Sequence, residues 1–305
     1  MSSLCILGAS GFVGGRALGL ARRTGQRVRA LAHRRAVSQP GIEVVQGDAA
    51  DGATLDGFLE PQAVVLNFAY GGEQSGERLA EALAAACARR GVRRLVHVST
   101  CSVYGNARGE RVDEETACSP VGAYERVKHA VERILEDKAG RYELAILRPT
   151  AVFGAGGRNL ETLAERVLLQ PWPRRYLRAC AMGRRRMHAI DVECVAAAAL
   201  FLTTIALGDL IERFIVSQDD EPDNNYADLE AFFVGHFGAA RYPLPVLSPP
   251  RAMLRWALRA AGRSDVEPQR RYSAAKLAQR GYRPPRAFAA ALEEYAGWIR
   301  QHARS

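Results

Sequence analysis

Tyr124 and Lys128 stand four residues apart in the stretch YERVK. On a helix this spacing puts both side chains on one face, about 6 Å apart along the axis. A phenol titrates near pH 10 and is a poor base at neutral pH. A nearby ammonium favours the phenolate, so such a pair can move a proton to or from a carbonyl or alcohol oxygen while a nicotinamide moves a hydride. Alone, Y-x-x-x-K describes many solvated helix faces, and its place in the chain decides its meaning. One helix earlier lies STCSVYG at 99–105, with hydroxyls or thiols on Ser99, Thr100, Cys101 and Ser102 and the phenol of Tyr104 behind them. At the N-terminus lies GASGFVGG, with Gly8, Gly11 and Gly14 in the spacing G-x-x-G-x-x-G. Glycines in such a loop permit a tight turn and let backbone N–H groups approach a pyrophosphate at a helix N-terminus.

Elements that would position these groups can be read from the alternation of the first half. Short apolar, β-branched runs at 4–7, 28–31, 42–45, 63–68, 92–98 and 144–147 read as strands. Helical stretches at 11–24, 76–90 and 120–138 lie between them, stopped by Gly25, Gly91 and Gly140. Strand–helix alternation predicts an α/β fold, a Rossmann-like doubly wound parallel sheet. The glycine loop then falls at the first strand–helix junction, where such sheets bind ligands. After Pro149 the texture changes. Prolines and short irregular pieces fill 149–186, a helix (191–206) and a strand (214–216) follow, and 218–285 is broken again by prolines before a final helix over 286–303. The predicted division is a dinucleotide-binding unit of residues 1–152 plus 187–217, with a smaller C-terminal substrate-binding lobe of 153–186 and 218–305.

An acidic residue at the end of the second strand would bond a ribose 2′-OH, whereas a basic one accepts a 2′-phosphate. Here Ala32 stands in the acidic place and His33, Arg34 and Arg35 follow. That points to NADP, with NAD as the alternative. Asp48, after the third strand, is placed to accept from the adenine amino group.

The 305 residues suffice for a large core, and 48% hydrophobic with 25% charged residues is ordinary for a globular protein. Six cysteines show no zinc spacing and no C-x-x-C pair, so no metal site is expected; reduced thiols suggest a cytoplasmic location. The apolar run 195–207 is about half of the ~20 residues a membrane span needs. No membrane partner is expected. The net charge of +9 admits nucleic-acid binding, but the arginines come in pairs and triples rather than one tract. No nucleic-acid partner is expected, and anionic small substrates suit the charge at least as well.

Taken in order, the motifs resemble the extended short-chain dehydrogenase/reductases of the NAD-dependent epimerase/dehydratase family. GASGFVGG resembles its glycine motif, GD at 47–48 its adenine contact, HVSTCSVYG at 97–105 its active-site strand end and YERVK its Tyr-x-x-x-Lys. LRPTAVFGAGG at 147–157, RRRMHAIDV at 184–192 and YSAAKLAQRGYRP at 272–284 resemble further family segments. The resemblance covers nearly the whole chain. It implies Thr100 as the catalytic hydroxyl, Tyr124 as the acid/base and Lys128 as the group that lowers the Tyr124 pKa and holds the nicotinamide ribose. Tyr104 becomes a structural aromatic. The implied cofactor residues are Gly8, Gly11, Phe12, Val13, Gly14, His33, Arg34, Asp48, Ala69, Tyr124 and Lys128. Cys101, Ser102, Asn159, Leu160 and Arg184 are the implied substrate residues, Arg184 as a diphosphate contact. His188 matches a family position but reads equally as a core histidine.

In the family's sugar 4,6-dehydratases, Asp and Glu follow the catalytic Thr; here Cys101 and Ser102 do. Epimerisation or oxidoreduction remains, and the resemblance implies a nucleotide-activated sugar as substrate. The alternatives are an NADPH-dependent reductase of a non-sugar carbonyl, or a non-catalytic NADP-binding sensor or scaffold. The resemblance also implies a homodimer through the helix at 76–90 and the Tyr-bearing helix.

Overall fold

The computed structural model describes residues 3–37, 39–247, 249–260, 262 and 266–302. In chain order the first unit contains β1 (Leu4–Leu7), α1 (Phe12–Arg22), β2 (Val28–Ala32), β3 (Glu43–Gln46), α2 (Gly52–Phe58), β4 (Val64–Asn67), α3 (Gly72–Arg90), β5 (Arg94–Val98), β6 (Arg111–Val112), α4 (Ala123–Lys138) and β7 (Glu143–Pro149). The rest comprises β8 (Ala151–Phe153), α5 (Glu161–Leu169), α6 (Trp172–Met182), β9 (Ala189–Asp191), α7 (Val192–Phe201), β10 (Ile211–Val216), α8 (Tyr226–Phe237), α9 (Arg251–Ala260), β11 (Arg271–Tyr272), α10 (Ala275–Gln279) and α11 (Phe288–His302).

Seven strands form one parallel sheet in the order β3-β2-β1-β4-β5-β7-β10. β1, β2, β4 and β5 are buried along their whole length, as expected of parallel strands covered by helices on both faces. One face packs Leu18, Val195 and Leu202 over Ile6, Val96 and Phe214; the other packs Leu83, Cys87 and Leu135 over Cys5, Val65 and Ile146. The strand order reverses between β1 and β4, which pair in register from Leu4 with Val64 to Leu7 with Asn67. That crevice, beyond the carboxyl ends of the strands, is where open α/β sheets bind ligands.

The doubly wound parallel sheet is therefore as expected. The prolines are not. Pro171 and Pro173 sit at the N-terminus of α6, and Pro249 and Pro250 directly precede α9. Proline is tolerated in a first helical turn, whose N–H groups have no intrahelical acceptor anyway. These prolines begin helices where irregular chain is predicted. The short α2 is also missed; it is capped by the Asp51 carboxylate accepting from Thr54 N at 2.9 Å. Residue 303, the predicted end of the last helix, lies outside the described residues.

A third core joins Phe153 and Leu163 with Phe233, Phe288 and Tyr295, tying α5, α8 and α11 together beside the sheet. Leu277 and Tyr282, from the same C-terminal region, insert instead into the core of the sheet. Among the described residues, no helix is long and apolar enough to cross a membrane.

Candidate active site

β1 runs straight into the glycine turn. Gly8 has φ +75°, and a Cβ there would meet Ala69 N and Phe68 C at 2.7 Å. A Cβ on Gly14 would lie 2.1 Å from the Gly8 carbonyl oxygen. Only glycine lets the start of α1 lie so close to the strand end. Gly11 caps α1 with no side-chain hydrogen bond, so the first N–H groups of the helix remain for an outside acceptor. The turn fits the pyrophosphate of a dinucleotide.

A cavity of about 620 Å³ opens from this turn. Its wall brings together Gly8, Gly11, Phe12, Val13 and Gly14 with Thr100, Cys101, Ser102, Tyr124, Lys128 and Asn159. Each is carried by an element end. Thr100 follows β5 and heads a short 3-10 turn, Cys101–Tyr104, its hydroxyl accepting from Ser102 N and donating to Ser102 Oγ, both at 3.1 Å. Tyr124 and Lys128 lie in the first turns of α4. That helix is begun by Glu125, whose carboxylate accepts from Val121 N at 2.6 Å and Gly122 N at 3.0 Å; such an acid in the first turn also suits the helix dipole.

Tyr124 is 41% exposed to the cavity mouth. Partial burial pushes its phenol up, Thr100 pulls it back, and Tyr70 adds to the rise. Lys128 is buried, and burial lowers its ammonium to about 8. Its Nζ donates to Val98 O at 3.1 Å and lies 5.5 Å from the centre of the Tyr70 ring. Lys128 is the group expected from the i,i+4 spacing to act on Tyr124.

Tyr104 is fully buried, its hydroxyl accepting from Arg148 Nη1 at 2.8 Å. Arg148 also grips the Glu132 carboxylate with both arms, at 2.6 and 3.1 Å. The aromatic therefore belongs to a structural network joining the turn after β5 to α4 and β7. The Cys101 thiol donates to Arg148 O at 3.1 Å, and burial holds it well above the usual thiol range. It is a neutral wall group.

A second cavity of about 490 Å³ lies on the other side of the glycine turn and shares Gly8, Gly11 and Tyr70 with the first. It collects His33, Arg34, Asp48 and Ala69, together with Arg35. Two predicted residues lie elsewhere. Leu160, at φ +65°, opens α5 with its side chain in the third core. Arg184 is exposed and paired with Asp228 Oδ2 at 2.6 Å. Neither lines a cavity described here.

Residues 4–206 match the family model described as NAD dependent epimerase/dehydratase family. The chain belongs to that family. No curated protein matches its sequence. Among solved structures, Bordetella bronchiseptica WbmH in complex with NAD+ shares 18% identity at a TM-score of 0.75, with 99% of each chain covered. A UDP-glucose 4-epimerase with UDP-glucose from Thermotoga maritima shares 16% at 0.74, again over 99% of each chain. A putative epimerase from Burkholderia cenocepacia shares 19% at 0.73, over 98% of each. At these identities the likeness is one of fold.

In this member of the epimerase/dehydratase family, the cavity also holds groups outside the expected site set: Thr150, Arg158 and Tyr70, which the sequence did not single out, and Ser99 and His188, which it named without a role. Ser99 Oγ and Thr150 Oγ1 are buried there without a hydrogen-bond partner among the described residues. Buried hydroxyls are usually satisfied, so both are candidates for ligand contact. Thr150 follows the LRP segment, and its place after a parallel strand was the available signal. Arg158 lines the same cavity. His188, at φ +53°, lines it too, its Nδ1 2.7 Å from Asp219 Oδ2. The sequence left His188 open between a family position and a core histidine; it lines the cavity. Tyr70 packs edge-on against Tyr124 with ring centres 5.5 Å apart. A lone aromatic after a strand carries no sequence signature, and only the fold shows that it borders both cavities.

Proposed function

We propose that the chain is an NAD(P)-dependent epimerase or reductase acting at a carbonyl or hydroxyl carbon of a nucleotide-activated sugar. The observation that carries this reading is the convergence of Thr100, Tyr124 and Lys128 on one cavity that begins at the glycine turn. A bound nicotinamide would accept or supply the hydride. Tyr124, pushed up by burial, carries its proton at neutral pH, the state needed to donate to a carbonyl oxygen. The Thr100 hydroxyl, fixed by Ser102 N, holds that oxygen in place. Lys128, charged at neutral pH, is the residue that would hold the nicotinamide ribose. Cys101 and Ser102 supply no carboxylate for water elimination, which argues against a 4,6-dehydratase. Arg34 and Arg35 beside Asp48 support a preference for NADP.

A second reading, NADPH-dependent reduction of a non-sugar carbonyl, is favoured by Arg184. The residue implied as the diphosphate contact is tied to Asp228 away from the cavity. Two measurements decide. Dinucleotide carried through purification is identified, and the chain is then assayed with UDP- and dTDP-sugars. Retained NAD with interconversion of sugar epimers supports epimerisation. An empty site that prefers NADPH, with a nucleotide sugar reduced, supports the reductase form. Turnover of free ketones alone overturns the nucleotide-sugar reading.

A further inference from the structure

The net charge of +9 is not spread evenly. Residues 166–190 and 231–264 hold twelve arginines and no Asp, Glu or Lys, while the rest of the chain carries 30 basic against 33 acidic side chains. These two stretches therefore supply more than the whole positive charge. They also hold eight of the thirteen exposed large apolar side chains among the described residues, including Leu177 at 69% and Trp256 at 71% exposed.

The two stretches meet in space. Tyr176 of α6 donates to Pro245 O at 2.9 Å, and its ring packs on Tyr242 at 5.4 Å. Arg255 of α9 reaches Glu267 at 3.5 Å, and Gln269, two residues on, donates to Arg184 O at 3.1 Å. α9 shows the pattern most clearly. At 100° per residue, Leu254 and Leu258 share one side, and Leu258 is buried. Met253 and Trp256 share a second, exposed side. Arg255 and Arg259 share a third. Leu177 and Trp172 are likewise exposed on α6 among Arg174 and Arg178.

Exposed Trp, Leu and Met flanked by arginine, with no carboxylate within either stretch and with Asp228 and Glu267 reaching Arg184 and Arg255 from outside, is a composition suited to a lipid interface. The apolar groups enter the acyl boundary and the guanidinium groups stay among anionic headgroups. We infer that this face of the lobe docks on an anionic bilayer surface. The absence of a spanning helix bears on crossing a membrane, not on resting against one. A second copy of the chain is a poor occupant, because a face-to-face pair would set arginines against arginines. A nucleic acid would use the charge but leave the leucines and Met253 without apolar partners.

The test uses the whole chain with sedimented vesicles. It should bind vesicles of phosphatidylcholine mixed with phosphatidylglycerol, not phosphatidylcholine alone, and binding should weaken as salt is raised. Trp emission should shift to the blue, and the shift should persist in Trp298→Phe, because Trp298 is stacked between Tyr295 and His302. Leu177→Ser with Trp256→Ser should reduce partitioning at least tenfold, and Arg178→Gln or Arg259→Gln about fivefold each, with thermal melting unchanged. Equal binding to both vesicle types, no binding, or undiminished binding by the variants overturns the inference. So does self-association, or duplex-DNA binding, that the variants abolish while vesicles are ignored.

Discussion

Around the sheet, arginines come with glutamates. Arg94 pairs with Glu143 at 2.6 Å, Arg148 with Glu132 at 2.6 Å, Arg29 with Glu43 at 2.8 Å, and Arg213 with Glu136. The two acid-free stretches of the lobe hold no carboxylate of their own; Arg184 and Arg255 pair with Asp228 and Glu267 from outside them, and large apolar side chains stand exposed among the other arginines. The first region spends its charge internally, fixing strands and helices around a site. The second also ties down Arg175, Arg184 and Arg255, but turns Arg174, Arg178 and Arg259 outward, toward the surface outside the chain on which the lobe is inferred to dock. The same residue type therefore does different work in the two halves, and the presence of nearby carboxylates tells which.

The comparison can be broken first at the site itself. Tyr124→Phe should lower kcat by about 10²–10⁴-fold with the fold intact by circular dichroism. Activity within a few-fold of the parent would remove Tyr124 from the chemistry. Next, Glu132→Gln should leave Arg148 buried without its counter-charge and cost about 3–5 kcal/mol of stability in denaturant titration. Trp256→Ser, on the lobe, should change stability by less than about 0.5 kcal/mol. Equal costs would erase the difference between the regions. Arg34→Ala should weaken NADPH about tenfold and leave NADH nearly unchanged, as expected for loss of one charge-assisted phosphate contact; dinucleotide titration by fluorescence reads both. The smallest effect is a limb in the pH profile. Burial lowers Lys128 to about 8, so it is charged below that pH and neutral above it. If the ammonium is required, kcat/KM should fall as pH rises through about 8, and the limb should vanish in Lys128→Arg, whose side chain stays charged. A limb unchanged by that substitution would assign it to another group.

Much of the dinucleotide half was legible because its signals are local. Apolar runs bounded by glycines marked the strands and helices of the sheet, and i,i+4 spacing put Tyr124 beside Lys128. The lobe was less legible because proline is ambiguous. Pro171 and Pro250 read as breaks, yet each precedes or opens a helix. The partner of Arg184 was illegible for another reason: Asp228 lies 44 residues away in sequence and is brought close by α8. Thr150, Tyr70 and His188 acquire meaning only when strand ends gather at the crevice. The acid-free stretches were visible as composition; that Leu177 and Trp256 face outward was not.

Arg148 joins three separate pieces of chain: β7, which carries it, α4 through Glu132, and the turn after β5 through Tyr104. The hydroxyl of Thr100 and the phenol of Tyr124 ride on two of those pieces. If Thr100 and Tyr124 carry the chemistry, a random screen for inactive variants should return positions 104, 132 and 148 beside 100 and 124, with a shared defect and no shared chemistry. Melting curves sort them, because the first group is lost with heat and the second only with substrate in the tube.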